Sequence, residues 1–347
     1  MISMISIDET EKWDGIVKSF KNYDVNYLSG YAKAFRLIGD GEPLLFYYDD
    51  GATKAMNVVM KRDIAEMAFF RDRLNYNTWF DLSTPYGYGG FLVDGENYVE
   101  VSEAYDNYCR QQGFVSEFVR FQLFSKHQPY YSGISETYTH NVVRTLELSI
   151  DEILGDFEHK VRKNLKRAAN SHLRVEIDTT GSRLDEFLNI YYGTMDRTNA
   201  AEKFFFSREF FQMLSEMNGN YAYLYVSSEG QVISTELVLY GSENCYSFLG
   251  GTNRDYFHLR PNDFLKFEII KWAKDLGLKR FILGGGYGDD DGIFKYKKSL
   301  APNGVCDFYV GKKIFNEEKY KKLVAMRIIS SKTDSETDYF PKYRASF

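Results

Sequence analysis

Two hydrophobic periods alternate along this chain. Apolar residues recurring every three to four positions predict helices, and alternating or continuous apolar runs between turn residues predict strands. The acids of "DETEKWDGIVKSF" open a first helix, as the positive end of a helix dipole favours. In "YLSGYAKAFRLIG", Leu28, Tyr31, Phe35 and Ile38 share one helical face. "EPLLFYYDDGATKAMNVVMKRD" then predicts a hairpin turning at Asp50-Gly51, and "NYVEVSEAYDNYCRQQG" a helix closed by Gly113. "FVSEFVRFQLF" and "HNVVRTLELSI" predict two strands.

The pattern then restarts. Residues 151–170 predict a helix, "LRVEID" a strand, and residues 182–199 and 207–217 two helices. "YAYLYVSS", "QVISTELVLY" and "NCYSFLGG" predict three strands, with turns at Glu229-Gly230 and Gly241-Ser242. Residues 262–276 predict a helix, "RFILGG" and "VCDFYVGKK" strands, and residues 316–329 a last helix. Helix, antiparallel strands, helix and strand is an α+β order with a mixed, mostly antiparallel sheet and flanking helices. A weaker version of it runs through residues 1–140. Two related domains are therefore expected, residues 1–140 and 141–347, divided near the polar segment "YYSGISETYTH".

Composition narrows the class. The 347 residues are 44% hydrophobic and 27% charged, enough for sizeable cores and unlike a disordered chain. The net charge of −6 gives no global sign of nucleic-acid binding. Cys109, Cys245 and Cys306 are far apart and odd in number, which speaks against a disulfide framework and fits the cytoplasm. No signal peptide and no apolar run long enough to span a membrane is seen. Aromatics at 17% read first as ordinary core and second as platforms for a sugar or nucleoside.

Three stretches carry candidate chemistry. Between His159 and Val175 there are six Lys/Arg and no acid. Phe157, Val161, Leu165 and Ala168 share one face there, and Lys160, Arg162, Lys163, Lys166 and Arg167 fan over the other. That face is either solvated surface or a phosphate-binding face, for which the planar guanidinium fork is suited. "STPYGYGG" is either a tight connection or a loop along a ligand cleft, with Tyr86 and Gly87 as its candidates. "RFILGGGYGDDDGIFKYKKSLAP" runs a buried strand into Gly284, Gly285 and Gly286, the strand end where such sheets usually hold ligands. It is neither a dinucleotide fingerprint nor a P-loop. Asp289–Asp291 lack the calcium-loop spacing, so no metal is expected, and capping of the next helix is the simpler role. No G-x-S-x-G or H-E-x-x-H occurs, leaving hydrolase and zinc-protease readings without support.

On these stretches the chain resembles the Fem-type branch of the GNAT acyltransferase superfamily, which includes the aminoacyltransferases that build peptidoglycan cross-bridges. "KVRKNLKRA" is similar to the basic helix that opens that branch's second domain, and "LRPNDFLKFEIIKWAKDLGLKRFILGGG" to its helix–strand unit. "DDDGIFKYKKSLAP" is similar to its aspartate-rich turn and aromatic-Lys pair, placing Tyr296-Lys297 at that pair. "TPYGYGG" is similar to a first-domain loop of one subgroup. There are two departures. Leu300 stands where the usual residue is aromatic, and "NRDYFHLRPND" stands where a GNAT pyrophosphate loop, [QR]-x-x-G-x-[GA], would precede a helix.

The resemblance implies two GNAT-like domains and transfer of an acyl or aminoacyl group to an amine. The first expectation is acyl-CoA as donor, with an amino sugar, nucleotide-sugar or lipid-linked cell-envelope glycan precursor as acceptor. The alternative is an aminoacyl-tRNA donor, which makes tRNA a partner. A non-catalytic glycan- or nucleic-acid-binding protein is the third reading. A cytoplasmic protein with a peripheral contact on the inner membrane face fits the first two. Lys297 is expected to place a positive charge at the reacting acyl group, and Glu236, polar within an apolar strand, is the candidate base. Arg162, Asn164, Arg167, Tyr86, Gly87, Gly284, Gly285, Gly286, Tyr287, Lys295 and Tyr296 are the expected substrate contacts.

Overall fold

The computed structural model of the chain describes residues 2–286, 288, 291–331 and 337–345. It divides into two compact units. Unit 1 holds Met1–Phe20, Asn26–Tyr138 and Phe308–Phe347, and unit 2 holds Lys21–Val25 and Thr139–Asp307.

Unit 1 begins with β1 (Ile2–Ser6), α1 (Thr10–Lys18) and α2 (Ser29–Leu37). The predicted hairpin follows as β2 (Glu42–Asp49) and β3 (Lys54–Asp63), then β4 (Phe80–Ser83), β5 (Leu92–Asp94), α3 (Tyr98–Gln111) and β6 (Ser116–Arg120). Gly113 closes α3 at φ +71°, a left-handed turn that glycine adopts without strain. The chain enters unit 2 through β7 (Ile134–Thr145). Next come α4 (Ile150–Asp156), α5 (His159–Ala169), β8 (Arg174–Asp178), α6 (Leu184–Arg197) and α7 (Arg208–Leu214). Then follow β9 (Tyr221–Ser228), β10 (Gln231–Tyr240), β11 (Asn244–Thr252), α8 (Pro261–Asp275), β12 (Arg280–Gly284) and α9 (Gly292–Leu300). It closes with β13 (Val305–Ile314) and α10 (Glu317–Ser331).

The two units share one strand plan. In unit 1, β1, β2, β3 and β4 pair antiparallel in sequence, β4 pairs parallel with β6, and β5 pairs with β3. In unit 2, β8, β9, β10 and β11 pair antiparallel, and β11 pairs parallel with β12. The strand pairing within each unit is mixed and mostly antiparallel, as the element order predicts. The sixth strand of each plan is exchanged. β7 follows unit 1 in sequence but pairs with β12, whereas β13 follows unit 2 and pairs with β6. This moves the expected division. Residues 308–347 group with unit 1, because β13 lies on β6 and Tyr320, Leu323 and Tyr343 pack with Ile64, Phe70 and Val115.

Unit 2 is built on a core of Phe157, Val161, Leu224, Val238, Leu265, Ile269, Phe281, Leu283 and Phe294, among others. The predicted apolar face of α5 is part of it, with Val161 and Ala168 buried and Leu165 half-buried. The predicted helix over 151–170 is two helices. The Glu158 N–H donates to Ser299 O at 3.0 Å, and Arg162 donates to Gly155 O and Phe157 O, so the backbone turns between α4 and α5. Gly250 and Gly251 of β11 leave no room for a side chain. A Cβ at Gly251 would lie 2.3 Å from Thr194 Oγ1 and one at Gly250 2.4 Å from Thr235 O. Bare backbone there lets α6 lie directly against β11.

Candidate functional site

A cleft of ≈ 560 Å³ opens in unit 2 between α6, β10, β11, the start of α8 and α9. That size suits a small ligand or the terminal nucleoside of a larger one. Phe248, Leu249, Ile293 and Tyr296 give it apolar walls, and Glu236, Asp263, Lys266 and Lys297 bring charge into it.

Glu236 lies in the middle of β10, opposite Gly250 of β11. It is 4% exposed. Lys266, one turn into α8 and also buried, donates to Glu236 Oε2 at 2.5 Å and to Ser247 Oγ at 2.6 Å. The other carboxylate oxygen, Oε1, is buried and has no hydrogen-bond partner among the described residues. Two buried charges in one pair are held where desolvation is costly, and one acceptor is left unsatisfied.

Lys297 lies near this pair on α9. Its Nζ donates to Gly285 O at 2.5 Å. Burial drives its pKa down, the like charge of Lys266 adds to the drop, and Glu236 and Asp291 oppose it, leaving Lys297 at about 8. The expected fixed positive charge is thus a group that titrates near neutrality. The neighbouring Tyr296 phenol is pushed well up by burial and by the carboxylates of Asp263 and Glu236. Lys295 and Lys298, on the outward side of α9, are exposed.

The rim is made by the turn before α8. Arg260 adopts the left-handed conformation, φ +62°, and Pro261 opens the helix. Pro261 has no N–H to offer an anion. Asp263 sits in the first helical turn, and burial pushes its carboxyl up while Asn164 donates to it at 3.0 Å. The helix end that would cradle a pyrophosphate already carries a proline and a carboxylate.

The other expected contacts are scattered around this frame. Arg162 binds the Gly155 and Phe157 carbonyls and so terminates α4. Asn164 joins α5 to the cleft rim through Asp263. Arg167 is exposed with Lys160, Lys163 and Lys166. Gly284, at φ +79°, turns the chain out of β12. A Cβ at Gly285 would meet His140 O at 2.7 Å, and one at Gly286 would meet Asp291 Oδ2 at 2.4 Å, so the fold itself uses these bare positions. Tyr287, with Asp289 and Asp290, lies outside the described residues. Tyr86 and Gly87 lie in unit 1 on the loop after β4. Tyr86 O accepts from Tyr31 Oη at 2.7 Å, its ring stacks on Phe35, and Gly87 takes φ +95° against Tyr31 and Asn26. No group of three or more His, Cys, Asp or Glu suited to a metal occurs among the described residues. Sequence reasoning missed Lys266, Asp263 and Arg260. A lysine at the core-facing position four residues before Ile270 was the available signal for the first.

Residues 155–298, most of unit 2 including the cleft, match the acetyltransferase (GNAT) domain family. This part of the chain is similar to GNAT acetyltransferase domains. An 86-residue stretch, 25% of the chain, is 28% identical to the lipid II:glycine glycyltransferase of Staphylococcus epidermidis. The chain aligns to only 21% of that relative's length. Among solved structures, FemX shares the fold over 93% of this chain and 99% of its own, with a TM-score of 0.67 at 14% identity. L-PGS from Bacillus licheniformis shares it over 93% and 96%, with a TM-score of 0.55 at 14% identity. The sequence likeness is thus to a lipid II glycyltransferase over a quarter of the chain, and the likeness to FemX and L-PGS is one of fold. No helix among the described residues is long and apolar enough to cross a membrane.

Proposed function

We propose that this protein transfers an aminoacyl group from the 3′ ester of an aminoacyl-tRNA to an amine on a lipid-linked cell-envelope glycan precursor, working in the cytoplasm. The observation that carries the choice of donor is the start of α8. Pro261 and the Asp263 carboxylate occupy the helix end where a CoA pyrophosphate would need free N–H groups and no negative charge. The lipid II and glycine named for the S. epidermidis relative support a lipid-linked acceptor and an amino acid as the group transferred. The exposed basic face of α5 meets the cleft rim through Asn164 and Asp263, a route for a polynucleotide backbone toward the cleft.

In this reading the acceptor amine attacks the ester carbonyl, a C–N bond forms, and the C–O bond to the ribose breaks. The attacking nitrogen must lose a proton, and the departing ribose oxygen must gain one. Lys297, at about 8, carries that proton between them. Its free-amine form takes it, and the resulting ammonium faces the developing oxyanion before giving it up. Positioning in the cleft supplies the rest, since an activated ester needs little further help.

The test incubates the purified protein with a lipid-linked disaccharide-peptide and, separately, a mixture of aminoacyl-tRNAs or a mixture of acyl-CoAs. Mass spectrometry of the glycan should show the mass of one or more amino-acid residues added only from the tRNA mixture. Transfer from acyl-CoA alone would replace this reading with the CoA-dependent one.

A further inference from the structure

We infer that Glu236 is the residue that reads the α-ammonium of the aminoacyl donor, and so restricts this cleft to acyl groups that carry an amine. The inference rests on the aminoacyl-tRNA donor proposed for this cleft. It starts from an asymmetry in one carboxylate. Oε2 of Glu236 is taken by Lys266, and Lys266 is in turn anchored by Ser247. Oε1 is buried in the cleft floor with no partner among the described residues. A buried acceptor on a charged group is costly to leave unsatisfied, and a complementary donor from a ligand removes that cost.

The chemistry of the missing donor is set by its surroundings. The walls beside Glu236 are Phe248, Leu249, Ile293 and the ring of Tyr296, apolar apart from the Tyr296 hydroxyl. Among the described residues lining the cleft the acids are Glu236, in the floor, and Asp263, at the rim and engaged by Asn164. A ligand group that fits is compact, cationic and attached to an apolar body, which describes the α-ammonium of an aminoacyl ester. Glu236 then sits between two ammonium groups, one from Lys266 and one from the donor, with one oxygen for each. The arrangement also separates two tasks. Glu236 holds the amine that must not react, and Lys297 deprotonates the amine that must.

Titratable groups facing Glu236 come from each element around it. They are Tyr191 and Arg197 of α6, Arg260 before α8, Lys266 and Asp263 of α8, Lys297 and Tyr296 of α9 and Cys245 of β11. At pH 6.5 Lys297, at about 8, is charged with either probe bound, so the comparison there isolates the probe's own ammonium.

The experiment compares two non-hydrolysable probes by calorimetry with the intact protein. One is adenosine carrying a 3′-amide-linked amino acid, and the other is the same compound with the α-amino group replaced by hydrogen. At pH 6.5 the amino compound should bind about ten- to a hundredfold more tightly, the range of a charge-assisted hydrogen bond. That preference should fade as the pH rises through the α-amino range near 8. Glu236→Gln, and the double variant Glu236→Gln/Lys266→Met in case the single one misfolds, should bind both probes alike. Equal affinity of the wild-type protein for the two probes would overturn the role of Glu236 and leave the nucleoside donor standing. Failure of both probes to bind would overturn the donor reading, and this inference with it. A uniform loss of affinity for both probes in Glu236→Gln would mark the residue as structural and also overturn it.

Discussion

Lys297→Met separates a catalytic charge from a stability cost. The side chain keeps its length but loses the ammonium. In the folded protein burial and Lys266 lower the lysine from 10.5 to about 8. Each pKa unit is worth about 1.4 kcal/mol, so keeping this group charged in the fold costs roughly 3 kcal/mol, an upper value because the residue is only half-buried. The sign comes from proton counting. Below about 8 both folded and unfolded chains hold the proton and the cost is fully present. Between about 8 and 10.5 the unfolded chain holds more protons than the folded one, so the wild-type protein gains stability as pH rises. The variant loses the hydrogen bond to Gly285 O, about 1–2 kcal/mol, but escapes the charge cost. It should therefore be about 1–2 kcal/mol more stable than wild type at pH 7. By pH 9.5 the balance should shift by roughly 2 kcal/mol in favour of wild type, cancelling or reversing that advantage. Urea unfolding followed by tryptophan fluorescence reads this, since Trp272 in α8 reports on unit 2. Activity should go the other way. Wild-type turnover should rise with pH and level off near 8, and Lys297→Met should fall by about a hundredfold or more and lose that limb. Parallel stability–pH curves for the two proteins would show that Lys297 is not held down by burial. An unchanged rate would remove it from the chemistry.

Four further outcomes are expected. Lys266→Met removes the like charge beside Lys297 and leaves Glu236 unopposed, so the rising limb of the pH–rate profile should move to higher pH; a fixed limb would show that the two lysines are uncoupled. Stability should drop by about 3–5 kcal/mol in the same variant, as for any buried pair stripped of one partner, and chemical denaturation checks it. In unit 1, Asp81 is fully buried and accepts from Arg62, Arg344 and Tyr343, so Asp81→Ala should cost about 3–5 kcal/mol in a thermal melt, while a loss under 1 kcal/mol would mean these groups re-pair with water. Reversing Lys163, Lys166 and Arg167 to Glu should leave the melt within about 0.5 kcal/mol, weaken tRNA binding and flatten its salt dependence; equal salt slopes would make α5 a solvated face.

What the sequence disclosed and what it hid divide along physical lines. Local periodicity is a local cause, so α3, α5, α8 and the β9–β10–β11 meander were legible from their own residues. The turn at Glu229-Gly230 is a case in point, since both residues take positive φ as a tight hairpin requires. Pairing partners are not local. β7 and β13 read as strands, but nothing in "HNVVRTLELSI" or "VCDFYVGKK" says that each joins the sheet of the other unit's series. Short edge strands such as β1 exist because β2 offers them a ladder, and their own pattern is too brief to declare it. The break between α4 and α5 is likewise imposed by a distant carbonyl, that of Ser299.

The candidate site shows the same division. Lys297 was found through a motif, and Glu236 because a carboxylate stood in an apolar strand. Lys266 was hidden in "PNDFLKFEIIKWAKD", where lysines are common and one on the buried stripe looks like any other. Yet its place beside Leu265, Ile269 and Ile270 is what makes it informative: a lysine is buried there only if something anionic awaits it. The general lesson is to align the buried stripe of each helix against the polar positions of the strands it must cover. A lysine on the α8 stripe and a glutamate inside β10 are each anomalous alone. Taken together they predict one buried pair, and in this protein that pair lies in the floor of the cleft.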